Sequence, residues 1–297
     1  MIRPAQESAE RRTTAQYAAL AGMSLIWGST FLAIRIGNEA VPPLWGAAMR
    51  LVIAAGLNGL IALLARARFP RGEALKATLL FGLLNLGINF ALLYWGEQTV
   101  PSGVAAVFYA TIPLSTSIFA RLLGLQPLEP MKMIAGTIGL AGVALIFSGE
   151  LTLGAPALSL LAIFAGATCA SLSTVILKKA PPQSTFVVNS LGAVVGAAVC
   201  FLASTAAGEA HDVPRTSAAW GPLLYLAIAG SLGAYVLYGW LITQWKATSI
   251  SVTALIVPVI AVTLGAIVRA ESPAPATYAG ALLVLAGVAL TLRESRG

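Results

Sequence analysis

Hydrophobic residues run along this chain in long blocks, and short polar breaks separate the blocks. Ten can be read: Ala18–Ile36, Leu44–Ala65, Leu75–Trp95, Ser102–Leu123, Met131–Ser148, Pro156–Leu177, Thr185–Ala206, Trp220–Ile242, Ser249–Val268 and Ala276–Leu292. Each is close to the ~20 residues that a helix needs to cross a bilayer. Hydrocarbon offers no water to backbone amides and carbonyls, so a crossing segment must satisfy them internally. The blocks lack the alternation of barrel strands. The pattern therefore predicts an all-α integral membrane protein with ten transmembrane helices. Pro42-Pro43, Pro70 with Gly72, Pro101, Pro127 with Pro130, Pro181-Pro182, Pro214, and Pro273 with Pro275 punctuate the breaks.

Composition agrees. Of 297 residues, 58% are hydrophobic and 10% charged, against roughly 25% charged in a soluble domain. No connection is long enough for a soluble catalytic domain. The net charge of +7 does not imply nucleic acid, because the basic residues flank apolar segments and no accessible domain carries them. If the segments alternate in direction, fourteen Lys and Arg fall on the side of the termini. Four (Arg35, Arg50, Arg215 and Arg269) fall on the other. The positive-inside rule then places both termini in the cytoplasm. The polar stretch Met1–Gln16 does not read as a signal peptide, so the first block is expected to stay as an anchor. Cys169 and Cys200 lie within apolar blocks and read as buried thiols. No metal or cofactor is implied.

The chain also resembles itself. A shift of 145 residues lays Trp95 on Trp240, Leu92 on Leu237, Pro113 on Pro258, Pro130 on Pro275, and Gly142-Val143-Ala144-Leu145 on Gly287-Val288-Ala289-Leu290. Five segments per half is an odd number, so the second half must enter the membrane inverted. This gives a 5+5 inverted repeat: a tail over residues 1–17, repeats over 18–148 and 155–292, and a tail over 293–297. Secondary transporters share this plan, with the substrate site near the midplane.

Particular motifs carry a family resemblance. Ile26-Trp27-Gly28-Ser29, Arg50, Pro113 followed by Gly136 and Gly142-Val143, and the second copy with Pro258, Glu271, Gly280 and Gly287-Val288 resemble the EamA-type drug/metabolite transporter superfamily. Within it the chain looks most like the YddG-type exporters of aromatic and other amino acids. Gln126-Pro127 departs from the pattern where a glutamate is usual. The resemblance implies ten helices, an inverted repeat of five, and export from a bacterial cytoplasm.

Candidate site residues follow from polar groups inside apolar blocks. Arg50 sits about two turns into the second segment. It reads either as a contact for a substrate carboxylate or as a structural brace. In the third segment, Asn85, Ile88, Asn89, Leu92 and Trp95 form a helical stripe whose two amides either bind substrate or cross-link helices. Ser231, Tyr235 and Tyr238, with Tyr109 and Trp27, suggest an aromatic wall with polar handles. Pro113 and Pro258 are paired helix kinks, candidates for gating. The eleven acidic residues and His211 all lie at segment ends or in loops. That favours uncoupled transport, with Glu97 the one exception, read as a solvated helix-end charge. Nothing resembles a nucleotide-binding loop or a catalytic triad.

The reading that results is a multi-pass transporter of a bacterial inner membrane, not an enzyme. It exports amino acids or related small metabolites by alternating access, in contact with lipid and with no obligate protein partner. Its cavity is expected between the first four and the sixth to ninth segments. A carrier of other metabolites or cationic drugs with proton coupling is the alternative, ahead of a membrane scaffold or intramembrane enzyme.

Overall fold

A computed structural model describes residues 14–125, 130–244 and 253–294. Among these the chain is helical throughout, with no strand. The helices are α1 (Thr14–Gly37), α2 (Pro43–Leu64), α3 (Glu73–Gly96), α4 (Ser102–Leu122), α5 (Pro130–Thr152), α6 (Ala157–Lys179), α7 (Thr185–Ala206), α8 (217–244), α9 (Thr253–Arg269) and α10 (Pro275–Glu294). The first eight contain stretches long and apolar enough to cross a membrane. Ile256–Arg269 and Pro275–Leu290 are shorter apolar helices. The tails 1–13 and 295–297, Trp245, Lys246 and the expected start of the ninth segment at Ser249 lie outside the described residues.

Small residues set the packing. In lipid, helices associate through close van der Waals contact, which glycine permits. Gly82 of α3 meets Gly192 of α7 so closely that a Cβ on Gly82 would lie 2.7 Å from the Gly192 backbone. Gly196 meets the backbone of Leu86 in the same way, at 2.8 Å. Gly142 of α5 and Gly280 of α10 oppose each other, each Cβ position being 2.6 Å from the other's carbonyl oxygen. Among the described residues the α5–α10 pair contributes none to the central cavity, which is lined by the other eight helices and the connection at Gln183.

Two features break helical regularity at matching places. α3 carries a π segment at Gly82–Ile88, and α8 carries one at Leu226–Gly233. The 145-residue shift lays the first on residues 227–233, within the second. Such i→i+5 segments often accompany functional sites. The paired prolines behave differently from one another. α4 is broken at Ala110–Thr111, immediately before the helix that holds Pro113. α9 runs through Pro258 as one continuous helix. There α9 is packed tightly on α1: a Cβ on Gly28 would lie 2.6 Å from Ile260 and 3.2 Å from the Val257 carbonyl.

The connections at 38–42, 97–101, 153–156, 207–216 and 270–274 meet at one end of the bundle, opposite the start of α1; it is called the far end below. Glu209 accepts hydrogen bonds from the backbone N–H of Leu44 and Trp45 at 3.2 and 2.8 Å and from Ser204 Oγ at 2.7 Å. Glu150 accepts from Ala274 N at 3.1 Å and from Thr277 Oγ1. Arg269 pairs with Glu39. Thr99 Oγ1 donates to Ser159 Oγ at 2.9 Å. These acidic residues act as ties between helices and loops.

Candidate substrate cavity

The eight helices enclose a cavity of about 690 Å³, within the usual range for small-molecule sites. Its wall extends from Gln183 and Thr185, between α6 and α7 at the near end, to Ile34 and Leu93 towards the far end. Trp27, Arg50, Asn85, Asn89, Tyr109, Ser231, Tyr235 and Tyr238 all line it, as do Pro113 and Pro258.

Arg50 is 5% exposed. Its Nε donates to Ser231 Oγ at 3.1 Å and its Nη1 to Tyr94 Oη at 3.2 Å. Its guanidinium lies over the Phe90 ring, 4.7 Å from the centroid. No acidic side chain pairs with it among the described residues. Burying a charge without a counter-charge is costly, so this cation sets the electrostatic character of the wall.

The π segment places Ser231 beside Arg50, and Ser231 Oγ in turn donates to Leu226 O at 3.1 Å, five residues back. In α3, Asn85 Nδ2 donates to Ser173 Oγ at 3.0 Å and Asn89 Nδ2 to Asn85 O at 2.9 Å, while Tyr109 Oη donates to Asn89 Oδ1. Both amides therefore brace helices while lining the cavity. The stripe expected from α3 holds only in part. Asn85, Leu86, Asn89, Phe90 and Leu93 line the cavity, whereas Ile88, Leu92 and Trp95 do not. Beyond Asn89 the helix is α again, and the wall follows the i+4 neighbour, Leu93, with Leu92 turned off it.

Aromatic rings form a further part of the wall. Trp27 meets Tyr235 edge-on at 6.0 Å and Tyr238 at 5.9 Å; Phe31 meets Tyr109 at 5.3 Å. The hydroxyls of Tyr235 and Tyr238 make no hydrogen bond to the protein among the described residues, which leaves them free for a ligand.

At the far end, Arg35 Nη1 donates to the carbonyls of Glu97 and Val100 at 3.0 and 2.7 Å. Its Nε lies 3.2 Å from Glu271 Oε1. Glu271 Oε2 accepts from Ser102 Oγ at 2.8 Å and, more weakly, from Gly103 N at 3.4 Å. Glu97 occupies the turn beyond α3 and is 0% exposed, with no hydrogen-bond partner for either carboxylate oxygen among the described residues. The reading of Glu97 as a solvated charge is thus overturned: α1, α4 and the loop after α9 close over it. Burial pushes its carboxyl well above the ordinary glutamate range, with the negative charge of Glu271 adding and the cations Arg35 and Arg50 opposing.

The EamA-like transporter family matches the chain twice, over residues 15–148 and 157–293. The chain belongs to the EamA-like transporter family. The inner membrane transporter YedA of Escherichia coli K12, itself uncharacterised, is 34% identical over 84% of this chain and 81% of that protein. The uncharacterised transporter YoaV of Bacillus subtilis is 26% identical over 90% and 92%. A probable terminal-alkyne amino-acid exporter of Streptantibioticus cattleyicolor is 24% identical over 91% of both chains. A solved crystal structure shares the fold, with a TM-score of 0.65, at 21% identity over 96% of this chain and 99% of that one.

Membership in the EamA-like family makes the chain a multi-pass membrane transporter. It does not name the cargo, so residues missed in the sequence matter. Asn58, Gln183 and Asn189 line the near end of the cavity, and Asn58 Oδ1, Gln183 Nε2 and Asn189 Nδ2 are buried without a hydrogen-bond partner among the described residues. Asn58 and Asn189 carried a usable signal, being lone amides within apolar blocks as Asn85 and Asn89 are. Gln183 lay in a connection between blocks, where no burial could be inferred.

Proposed function

We propose that this protein exports amino acids and related small carboxylates across a bacterial cytoplasmic membrane by alternating access. Arg50 carries the reading: a buried cation without an acidic partner, in the wall of a cavity otherwise made of aromatic rings, amides and aliphatic side chains. It suits a carboxylate, while Trp27, Tyr235 and Tyr238 suit a large side chain. A buried guanidinium repels a cation at close range, which disfavours cationic drugs.

The same reading takes the chain as ten transmembrane helices in two inverted halves, 18–148 and 155–292, with both termini cytoplasmic. The cavity wall runs on to the near, cytoplasmic end, while hydrogen bonds and ion pairs tie the far end shut. On this reading the conformation faces the cytoplasm. The matched π segments of α3 and α8 would serve as hinges. Uncoupled transport was expected because no acid was seen inside the bundle. The burial of Glu97 removes that reason.

The test is efflux from liposomes that contain the purified protein and are loaded with single radiolabelled amino acids. Saturable efflux of aromatic or other bulky amino acids, slowed in Arg50→Ala, is expected. Efflux of cations or sugars with amino acids left inside would sink the assignment.

A further inference from the structure

Arg35, Glu271 and Glu97 form one cluster of the far end, and their charges do not balance. Arg35 supplies one cation. Glu271 Oε1 faces that cation, 3.2 Å from Arg35 Nε without a hydrogen bond, and its Oε2 accepts from Ser102 Oγ at 2.8 Å. Glu97 is more deeply buried, has no ion-pair partner among the described residues, and neither of its carboxylate oxygens has a donor there. An ionised carboxylate without a partner is costly to bury, and the group avoids that cost by taking a proton. No other neighbour relieves it. From α1 it faces Arg35, already committed to Glu271 and to the Glu97 and Val100 carbonyls. α2 contributes Arg50, held by Tyr94 and Ser231. α4 contributes Tyr109, whose proton goes to Asn89. α3 itself contributes Tyr94. α6, which packs on Gly96 through Ile163 and Ser159, brings no charge. Elsewhere at this end Arg269 pairs with Glu39, and Glu209 and Glu150 are held by their own donors.

We infer that Glu97 is a proton-binding site whose occupancy is tied to closure of the far end. The inference rests on the alternating-access reading. For a carrier to open at this end, Arg35 must leave Glu271 and the two carbonyls, and water then reaches Glu97. In water the carboxyl ionises in the ordinary glutamate range, and its proton leaves to the far-side solution. On closing, Glu97 takes one proton from the same solution and is buried as the neutral acid. The sign follows: the closed form binds more protons than the open one. Closure is therefore favoured as the far-side pH falls towards the ordinary glutamate range, by at most about tenfold per pH unit for a single proton.

The other half of the repeat sharpens the point. The 145-residue shift lays Arg35 on Ala180, Glu97 on Ile242 and Glu271 on Gln126. None of these can titrate, so this cluster has no counterpart at the equivalent positions of the other half.

The test uses the full chain with Cys169 and Cys200 replaced by serine and spin labels at Gln98→Cys and Ser272→Cys. Both positions are exposed and lie on connections that flank the far end. Interspin distances in lipid nanodiscs report the open and closed populations. Expected are an open population that shrinks as pH is lowered and, in Glu97→Gln, a predominantly closed population that ignores pH. A population independent of pH with Glu97 present, or one that still titrates in Glu97→Gln, overturns the proposal. Infrared spectra of the native chain at neutral pH supply a measurement that needs neither labels nor cargo. A protonated-carboxyl band that disappears in Glu97→Gln is expected, and its presence in both proteins or in neither overturns the proposal. Failure of amino-acid efflux would condemn the cargo assignment while leaving both of these readouts standing.

Discussion

Arg35 and Glu271 join the first half of the chain to the second at the far end, with Nε and Oε1 3.2 Å apart. The pair sits where α1, the α3–α4 turn and the loop after α9 converge. Its removal should loosen that convergence more than a surface pair would. Arg35→Ala also frees the Glu97 and Val100 carbonyls. We expect it to raise the far-end reactivity of an engineered cysteine at the buried Val104 several-fold towards a membrane-impermeant thiol reagent. An unchanged rate would show that other contacts hold this end.

Gly265 shapes the same region. A Cβ there would lie 2.9 Å from Ser102 Oγ and run into the Glu271 carboxylate. Gly265→Ala should displace Glu271 and mimic Arg35→Ala in the thiol assay while α9 stays helical by circular dichroism. A variant as well closed as the native chain would mean that Glu271 has room to move without releasing Arg35.

Arg50→Ala should raise the KM for amino-acid cargo by about tenfold to a hundredfold, since a hydrogen bond to a charged group contributes roughly 1.5–3 kcal/mol. Arg50→Lys keeps the charge but loses the planar fork that engages Ser231 and Tyr94 together, so partial recovery is expected. An Arg50→Ala protein with native KM and lowered thermal stability would make Arg50 a brace only.

Asn58→Leu and Asn189→Leu divide binding from packing at the near end. Each removes a buried amide atom that lacks a partner. Stability should therefore hold or rise, while affinity for cargo bearing a second polar group falls. A clear loss of thermal stability would show that these amides support the fold.

Gly142→Val should damage folding and not transport chemistry. The new side chain would meet the Gly280 carbonyl and Val284 within 3 Å, a clash on the order of 1–3 kcal/mol or more. Reduced yield and melting temperature are expected, with a normal KM in the fraction that folds.

Much of this was legible because lipid imposes a simple rule on sequence. Block length and the proline breaks located the helices, and the lone polar residues in apolar blocks marked the cavity wall: Arg50, Asn85, Asn89 and Ser231 all line it. Two things were not legible. The π segments of α3 and α8 arise at no residue that demands them, and nothing in the spacing chose Leu93 over Leu92 for the wall. Glu97 reads as a helix-end charge by position. Its burial depends on α1 and the loop after α9, which are remote in sequence and meet it only in the folded bundle.

The charged closure at one end and the neutral residues at the equivalent positions of the other half bear on energetics. A latch on one side makes the two faces of a carrier unequal in how long each is kept shut. It cannot by itself make cargo accumulate. A proton that binds and departs on the same side performs no net work, so cargo must still run down its own gradient. What such asymmetry can do is set the pace, letting the acidity outside decide how often the protein returns, empty, to face the cell.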